Sequence, residues 1–160
     1  MRKTLLLTTI TAFVAVILAA FSVVLISSPF VHANGTQTIH LIKHHTMLPI
    51  GDVPPKGDSY GDQLVFHDPI FDATDKHQVG QDNGVCVRTV IGKEWECFFT
   101  IFLSTGQLTL EGQFYDSGAD SLFAITGGTG TYQEASGQMR LHFTGNPVGS
   151  AFDYFLTIIN

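Results

Sequence analysis

Beyond residue 33 the chain predicts an all-β domain of eight short strands joined in sequence. Three observations predict it. Helix signals are scarce there, and runs of Val, Ile, Phe, Thr and Leu are divided by Gly, Asp, Asn and Pro. Several runs alternate polar and apolar, as in Gln107-Leu-Thr-Leu-Glu-Gly-Gln-Phe114, the period of a strand with one buried face. Turn-forming triplets, such as Ser104-Thr105-Gly106 and Asp116-Ser117-Gly118, recur at short spacing. Eight sequential strands without helices imply an up-and-down barrel or a sandwich.

The first element is no strand. Arg2 and Lys3 precede an uncharged apolar stretch from Leu5 to Ile26, and Val31-His32-Ala33 fits a small-residue cleavage site. Residues 1–33 therefore read as an export signal. If it is retained, about 20 apolar residues are enough to cross a membrane, and the segment is then an anchor. Either outcome makes the folded part secreted or extracytoplasmic. Asn34-Gly35-Thr36 matches a glycosylation sequon at the mature terminus.

The candidate strands are 38–45, 63–71, 84–90, 95–103, 107–114, 121–126, 136–144 and 152–159. Phe98-Phe-Thr-Ile-Phe-Leu103 is apolar almost throughout, as expected of a strand covered on both faces. The irregular stretch Pro49 to Asp62 carries three prolines and three glycines. The chain thus divides into the signal, 1–33, a first strand with its Pro/Gly-rich loop, 34–60, and the rest of one domain, 61–160.

Removing Arg2 and Lys3 leaves six basic against fourteen acidic side chains, a net charge of −8. No basic patch appears, so nucleic acid is excluded as a partner, and a membrane is involved only through a retained signal. Cys86 and Cys97 lie opposite each other across a hairpin turning at Ile91-Gly92. An exported protein permits the disulfide this pairing allows. Two buried free thiols are the alternative.

Phe123-Ala-Ile-Thr-Gly-Gly-Thr-Gly-Thr-Tyr-Gln-Glu-Ala-Ser-Gly-Gln138 looks like a phosphate loop. It has neither the Lys-Ser/Thr pair nor a following helix. The alternation of Gln138 to Phe143 makes it strand, glycine-rich bend, strand.

This segment resembles the glycine motif of allene oxide cyclases and dirigent proteins. Gly61-Asp-Gln-Leu-Val-Phe66, Gly84-Val-Cys86, Gly106-Gln-Leu-Thr-Leu-Glu-Gly112, Ala135-Ser-Gly-Gln-Met-Arg-Leu141 and Phe152-Asp-Tyr-Phe-Leu156 continue the resemblance in order over residues 61–160. It implies a single eight-stranded antiparallel β-barrel around an apolar cavity, assembled as a homodimer or homotrimer. It implies no metal and no organic cofactor. The activity implied is that of a cyclase or isomerase acting on an apolar, oxygen-bearing small molecule. The alternative is a dirigent-type barrel that only binds and orients such a ligand. A third possibility is an interior filled by Phe side chains.

Carried over residue by residue, the resemblance puts Asp68 at a pocket Asn, Phe66 at a pocket aromatic and Cys86 at a pocket Cys. Leu64, Phe66 and Asp68 share one strand face. A carboxylate inside an apolar barrel is expected to have a raised pKa and to exchange protons near neutrality. The other reading makes Asp68-Pro69 a strand-end turn. In Ile39-His-Leu-Ile-Lys-His-His45, His40 and His44 share a face. Pointing inward they would polarise a substrate oxygen or shuttle a proton; pointing outward they are surface groups. The resemblance places an acidic residue on this strand, and the chain lacks it. A metal site from His40, His44, His45 and His67 is disfavoured, because these side chains lie on two faces and Zn²⁺ needs three or four convergent ligands. Tyr115, Asp116 and Asp120 flank the turn at the implied barrel mouth.

Overall fold

The computed structural model describes residues 35–46, 50–147 and 149–159. The predicted signal and Asn34 lie outside them. Nine strands follow: β1 (Thr36–His45), β2 (Ile50–Gly51), β3 (Gln63–Asp72), β4 (Gln78–Val90), β5 (Glu94–Leu103), β6 (Gly106–Tyr115), β7 (Ser121–Gly130), β8 (Ser136–Phe143) and β9 (Gly149–Ile159). Their order is β1-β9-β8-β7-β6-β5-β4-β3-β2, and a β1–β3 pairing closes eight of them into a barrel. Every pairing is antiparallel. β2 pairs with Gln63 and Leu64 of β3, while β1 pairs with Ile70 to Asp72. Closure leaves no long unpaired edge.

The eight expected strands are all present, with two instructive differences. β4 begins at Gln78, six residues before the expected start. Gln78-Val-Gly-Gln-Asp-Asn-Gly84 has turn composition, yet Gly80 to Gly84 are paired on both sides, to β3 and to β5. Pairing on both edges overrides the weak local propensity. The glycine-rich segment also differs: β7 runs straight through Gly127–Gly130, and the turn comes after it, at 131–135. A Cβ at Gly128 would stand 2.4 Å from the Tyr132 carbonyl oxygen and 2.6 Å from that of Gln107. Glycine there lets the following turn fold back onto the strand, and Tyr132 is buried in the process.

The β4–β5 hairpin turns on residues 91–93, with a register shift between Arg88 and Val90. The extra residue in β4 offsets the longer turn. Cys86 therefore still faces Cys97, and the two form a disulfide with Cα atoms 3.9 Å apart.

Alternation along each strand sends one set of side chains inward. Ile101, Leu108, Leu110, Ile125, Leu156 and Ile158 are buried and fill one half of the interior. The other half is lined by aromatic rings and keeps open space. The interior filled by Phe side chains is thus not what forms: the filled half is aliphatic, and the Phe rings line the half that stays open.

Candidate ligand cavity

The open half holds a cavity of about 70 Å³. Phe66, Phe99, Phe114, Phe123, Phe152 and Tyr154 provide its rings, and the Cys86–Cys97 disulfide forms part of the wall. Gly84 makes one of these placements possible. A Cβ there would lie 2.6 Å from Phe66 Cζ and 2.3 Å from Phe99 Cβ, so the Phe66 ring packs directly on the β4 backbone. Phe114 and Phe152, 6.0 Å apart and edge to face, also line an outer cleft of about 260 Å³ beside Tyr115–Gly118. These two rings stand between the cavity and that cleft.

One wall is polar. Lys43 projects inward from β1, 5 % exposed, with Nζ 3.7 Å from the Phe66 ring centre. Nζ lies 3.0 Å from Asp68 Oδ2 and 3.2 Å from Asp82 Oδ2. Asp68 and Asp82 are cross-strand partners on β3 and β4, and both are fully buried. Tyr154, on β9, is hydrogen-bonded through its phenol to Asp82 Oδ2 at 2.7 Å. Asp68 also accepts from the Thr46 amide at 2.8 Å and the Thr46 hydroxyl at 2.7 Å, and His45 Nδ1 lies 3.3 Å from its Oδ2. Lys43, His45 and Tyr154 line the cavity almost wholly through carbon, and Asp68 and Asp82 stand behind them.

The two carboxyls respond oppositely to this wall. Burial pushes Asp68 up, but His45, the Lys43 charge and the two Thr46 donors outweigh it and hold Asp68 well below the usual carboxylate range. The expected rise does not occur, because sequence alone could not reveal four donors on one carboxylate. Asp82 goes the other way: burial pushes it up beyond what Lys43 and Tyr154 offset. Burial, with Asp82 beside it, raises the Tyr154 phenol well above its ordinary range.

Of the residues singled out by sequence, Leu64, Phe66, Cys86 and Cys97 line the cavity. Asp68 is interior, in mid-strand, and reaches the cavity only through Lys43 and His45. His40 and His44 lie on the opposite face of β1 from Leu41 and Lys43. His40 is 2.9 Å from Asp153 and stacks on Phe155, while His44 pairs with Asp75 and stacks on Phe71. His45 is the β1 histidine at the cavity. His67 contacts Asn83 on the exposed surface. The four histidines considered for a metal thus have separate partners. Lys43, Asp82 and Tyr154 were not singled out by the sequence reading. Lys43 had a legible signal, since it shares strand parity with Ile39 and Leu41.

Next to the disulfide, Arg88 and Trp95 point inward from paired positions on β4 and β5. The guanidinium lies 3.7 Å over the indole, with Asp58 2.7 Å from Nε and Asp116 2.5 Å from Nη1. The Asp58 contact is coulombic, because Nε makes no hydrogen bond of acceptable angle. Trp95 Nε1 donates to Asp116 at 2.8 Å. Asp62 accepts from the Val53 and Ser59 amides and pins the Pro/Gly-rich loop against this cluster.

No family model matches the chain, and no curated protein matches it in sequence. Solved structures do match. A pyocyanin demethylase is 26 % identical with a TM-score of 0.66, over 76 % of this chain and 99 % of that one. A pterocarpan synthase dirigent protein is 18 % identical with a TM-score of 0.69, over 83 % and 94 %. The chain thus shares its barrel fold with a dirigent protein. A Diels–Alderase from Streptomyces koyangensis shares the fold more distantly, at 12 % identity and a TM-score of 0.55, over 78 % of this chain and 63 % of that one. These likenesses are likenesses of fold.

Proposed function

We propose that this barrel takes one apolar, oxygen-bearing small molecule into its cavity and orients it for an intramolecular ring closure or isomerisation. The observation that carries the reading is the cavity's asymmetry. Aromatic rings supply most of the wall, and Lys43, His45 and Tyr154 line one side, with the Lys43 ammonium and the Tyr154 phenol just behind its carbon surface. Apolar walls hold a carbon skeleton, and the few polar groups fix its orientation. A carbonyl, epoxide or phenolic oxygen is the group that this side receives, because its developing negative charge is stabilised there. Solved neighbours named as a demethylase, a pterocarpan synthase dirigent protein and a Diels–Alderase support a barrel that works by orientation.

A cavity of about 150 Å³ is known to hold benzene, and this one is about half that size. Ligand entry therefore displaces Phe114 and Phe152, whose outer faces already meet the cleft. Asp68 acts by keeping Lys43 and His45 in place. The Cys86–Cys97 disulfide supports an oxidising compartment, in keeping with the export signal read at 1–33.

The test has two arms. A fatty-acid epoxide is incubated with the protein, and the rate and chirality of the cyclised product are measured. Phenoxy radicals from a separate oxidant are coupled in its presence, and the product's enantiomeric ratio is measured. A faster, enantiomerically enriched cyclisation supports the enzyme. Enrichment in the second arm alone supports the dirigent-type reading. Racemic product in both, at the uncatalysed rate, rejects an orienting role toward both substrate classes.

A further inference from the structure

The polar wall holds one ammonium and two carboxyls out of water. Asp68 and Asp82 are 0 % exposed, and Lys43 and Tyr154 are 5 % and 1 % exposed. If both carboxyls were ionised beside a neutral His45, one buried negative charge would stand uncompensated. The hydrogen bonds decide which carboxyl gives up its charge. Asp68 has Lys43, His45 and two Thr46 donors, spread over both oxygens. Asp82 has Tyr154 and Lys43 on Oδ2, and its Oδ1 is buried without a hydrogen-bond partner.

We infer that Asp82 is held as a neutral carboxylic acid that donates to Tyr154 Oη and so turns the phenol proton into the cavity, making Tyr154 the general acid toward the ligand's oxygen. The inference rests on the proposed ligand cavity and names the group that acts there. When Asp82 is ionised, it accepts the phenol proton and the cavity loses its donor. When Asp82 is protonated on Oδ2, the same 2.7 Å contact runs in reverse and Tyr154 is free to donate to a ligand.

The step balances without a co-reactant. As a carbon–oxygen bond of the ligand opens, its electron pair moves to oxygen. Tyr154 passes its proton to that oxygen, and Asp82 passes one to Tyr154. The resulting Asp82 carboxylate sits 3.2 Å from the Lys43 ammonium. As the ring closes and the oxygen becomes a carbonyl, both protons return along the same path. Tyr154 is the catalytic residue, and Asp82 is a positioning residue acting through it.

Among the described residues, three charged or titratable groups pack on Asp82. β1 brings Lys43, β3 brings Asp68 and β9 brings Tyr154, while β5 places Ile101 opposite. His45 acts one step removed, on Asp68. The upward direction of the Asp82 pKa agrees with this arrangement, with burial as its main cause.

The test separates the proton from the ligand. In the wild-type protein labelled with ¹³C at the Asp carboxyls, one buried side chain should give a protonated-carboxyl signal at pH 7. Asp82→Asn should remove this signal and Asp68→Asn should keep it. If neither variant folds, assignment comes from Tyr154→Phe, which should shift the same signal. The ligand arm compares 1-indanone with indane, which lacks the oxygen. Wild type should prefer indanone, and the preference should fall as pH rises through the Asp82 titration. Tyr154→Phe should reduce it roughly threefold to tenfold. Asp82→Asn should retain it at all pH values, since its amide still donates to Tyr154. An ionised Asp82 at pH 7 overturns the inference whatever binds. A protonated Asp82 with an indanone preference that ignores its titration overturns the relay. Failure of both probes to bind rejects the cavity reading and the relay's ligand-facing half, while the ¹³C signal still reports where the proton sits.

Discussion

Two walls of the same barrel show what alternation in a strand can and cannot specify. On β5 to β7 the inward positions Phe99, Ile101, Leu108, Leu110, Phe123 and Ile125 are apolar and at most 6 % exposed. On β1, β3, β4 and β9 the same inward parity delivers Lys43, Asp68, Asp82 and Tyr154, equally buried. The first wall is stabilised by transfer of carbon from water. The second holds together only while its charges match, because each ion there has lost its solvent. The apolar wall can lose a methyl group gradually, whereas the polar wall fails when one member is removed.

The largest effect follows from that difference. Lys43→Met leaves Asp68 and Asp82 without their cation and should destabilise the fold by about 3–5 kcal/mol, read from denaturant unfolding. Adding Asp68→Leu and Asp82→Leu to Lys43→Met should recover much of the loss, because an apolar cluster replaces the ions, and should abolish the indanone preference. A single Lys43→Met variant as stable as wild type would erase the distinction between the walls.

Where the walls meet, the disulfide joins β4 to β5 across a short loop. Replacing Cys86 and Cys97 with Ala should cost about 3 kcal/mol in the oxidised protein. Reductant should lower the thermal midpoint of wild type and leave that of the double variant unchanged.

A smaller effect depends on pH. The Asp68 pKa is depressed by folding, so its contribution is present above the unfolded value of 3.8 and is lost as pH falls below it. Asp68→Asn should therefore cost stability at pH 7, roughly 1–3 kcal/mol, and the difference from wild type should shrink as pH drops below about 4. Asp82, whose pKa is raised, has the opposite sign. Its contribution is present below the unfolded value and declines as pH rises toward the folded one, so Asp82→Asn should stabilise the protein at high pH relative to low pH. Parallel pH profiles for the two variants would contradict the assignment of charge to Asp68 and of the proton to Asp82.

The smallest effect belongs to the outer face of β1. His40→Ala and His44→Ala should each change stability by less than about 1 kcal/mol, the ceiling for a partly exposed polar pair. They should also leave the indanone preference unchanged. A loss of ligand binding in either variant would bring the outer face into the function.

The contrast between the walls also marks how far the sequence was legible. Residues such as Gln107 to Phe114 and Gln138 to Phe143 alternate cleanly, so their strands could be read directly, while closure into a barrel rather than a sandwich came from the resemblance. Cys86 and Cys97 could be paired because the hairpin count between them is short. The polar wall was harder. Asp82 lies in Gln78-Val-Gly-Gln-Asp-Asn-Gly84, whose composition argues for a turn, and only pairing with β3 and β5 makes it strand. On β1 the apolar parity of Ile39 and Leu41 pointed to Lys43 and His45, while histidine chemistry drew the eye to His40 and His44. A lysine on an inward parity is the signal that a charged partner waits inside, but the partner's identity requires the closure of β1 onto β3.

The central claim is that a ligand's oxygen sits inside the barrel against Tyr154 and Lys43. A crystal structure of the protein with 1-indanone tests it most directly. The account predicts the ketone oxygen within hydrogen-bond distance of Tyr154 Oη or Lys43 Nζ, the ring among Phe66, Phe99 and Phe123, and Phe114 or Phe152 turned outward. Indanone bound outside the barrel, or inside with its oxygen turned away from this wall, would contradict it.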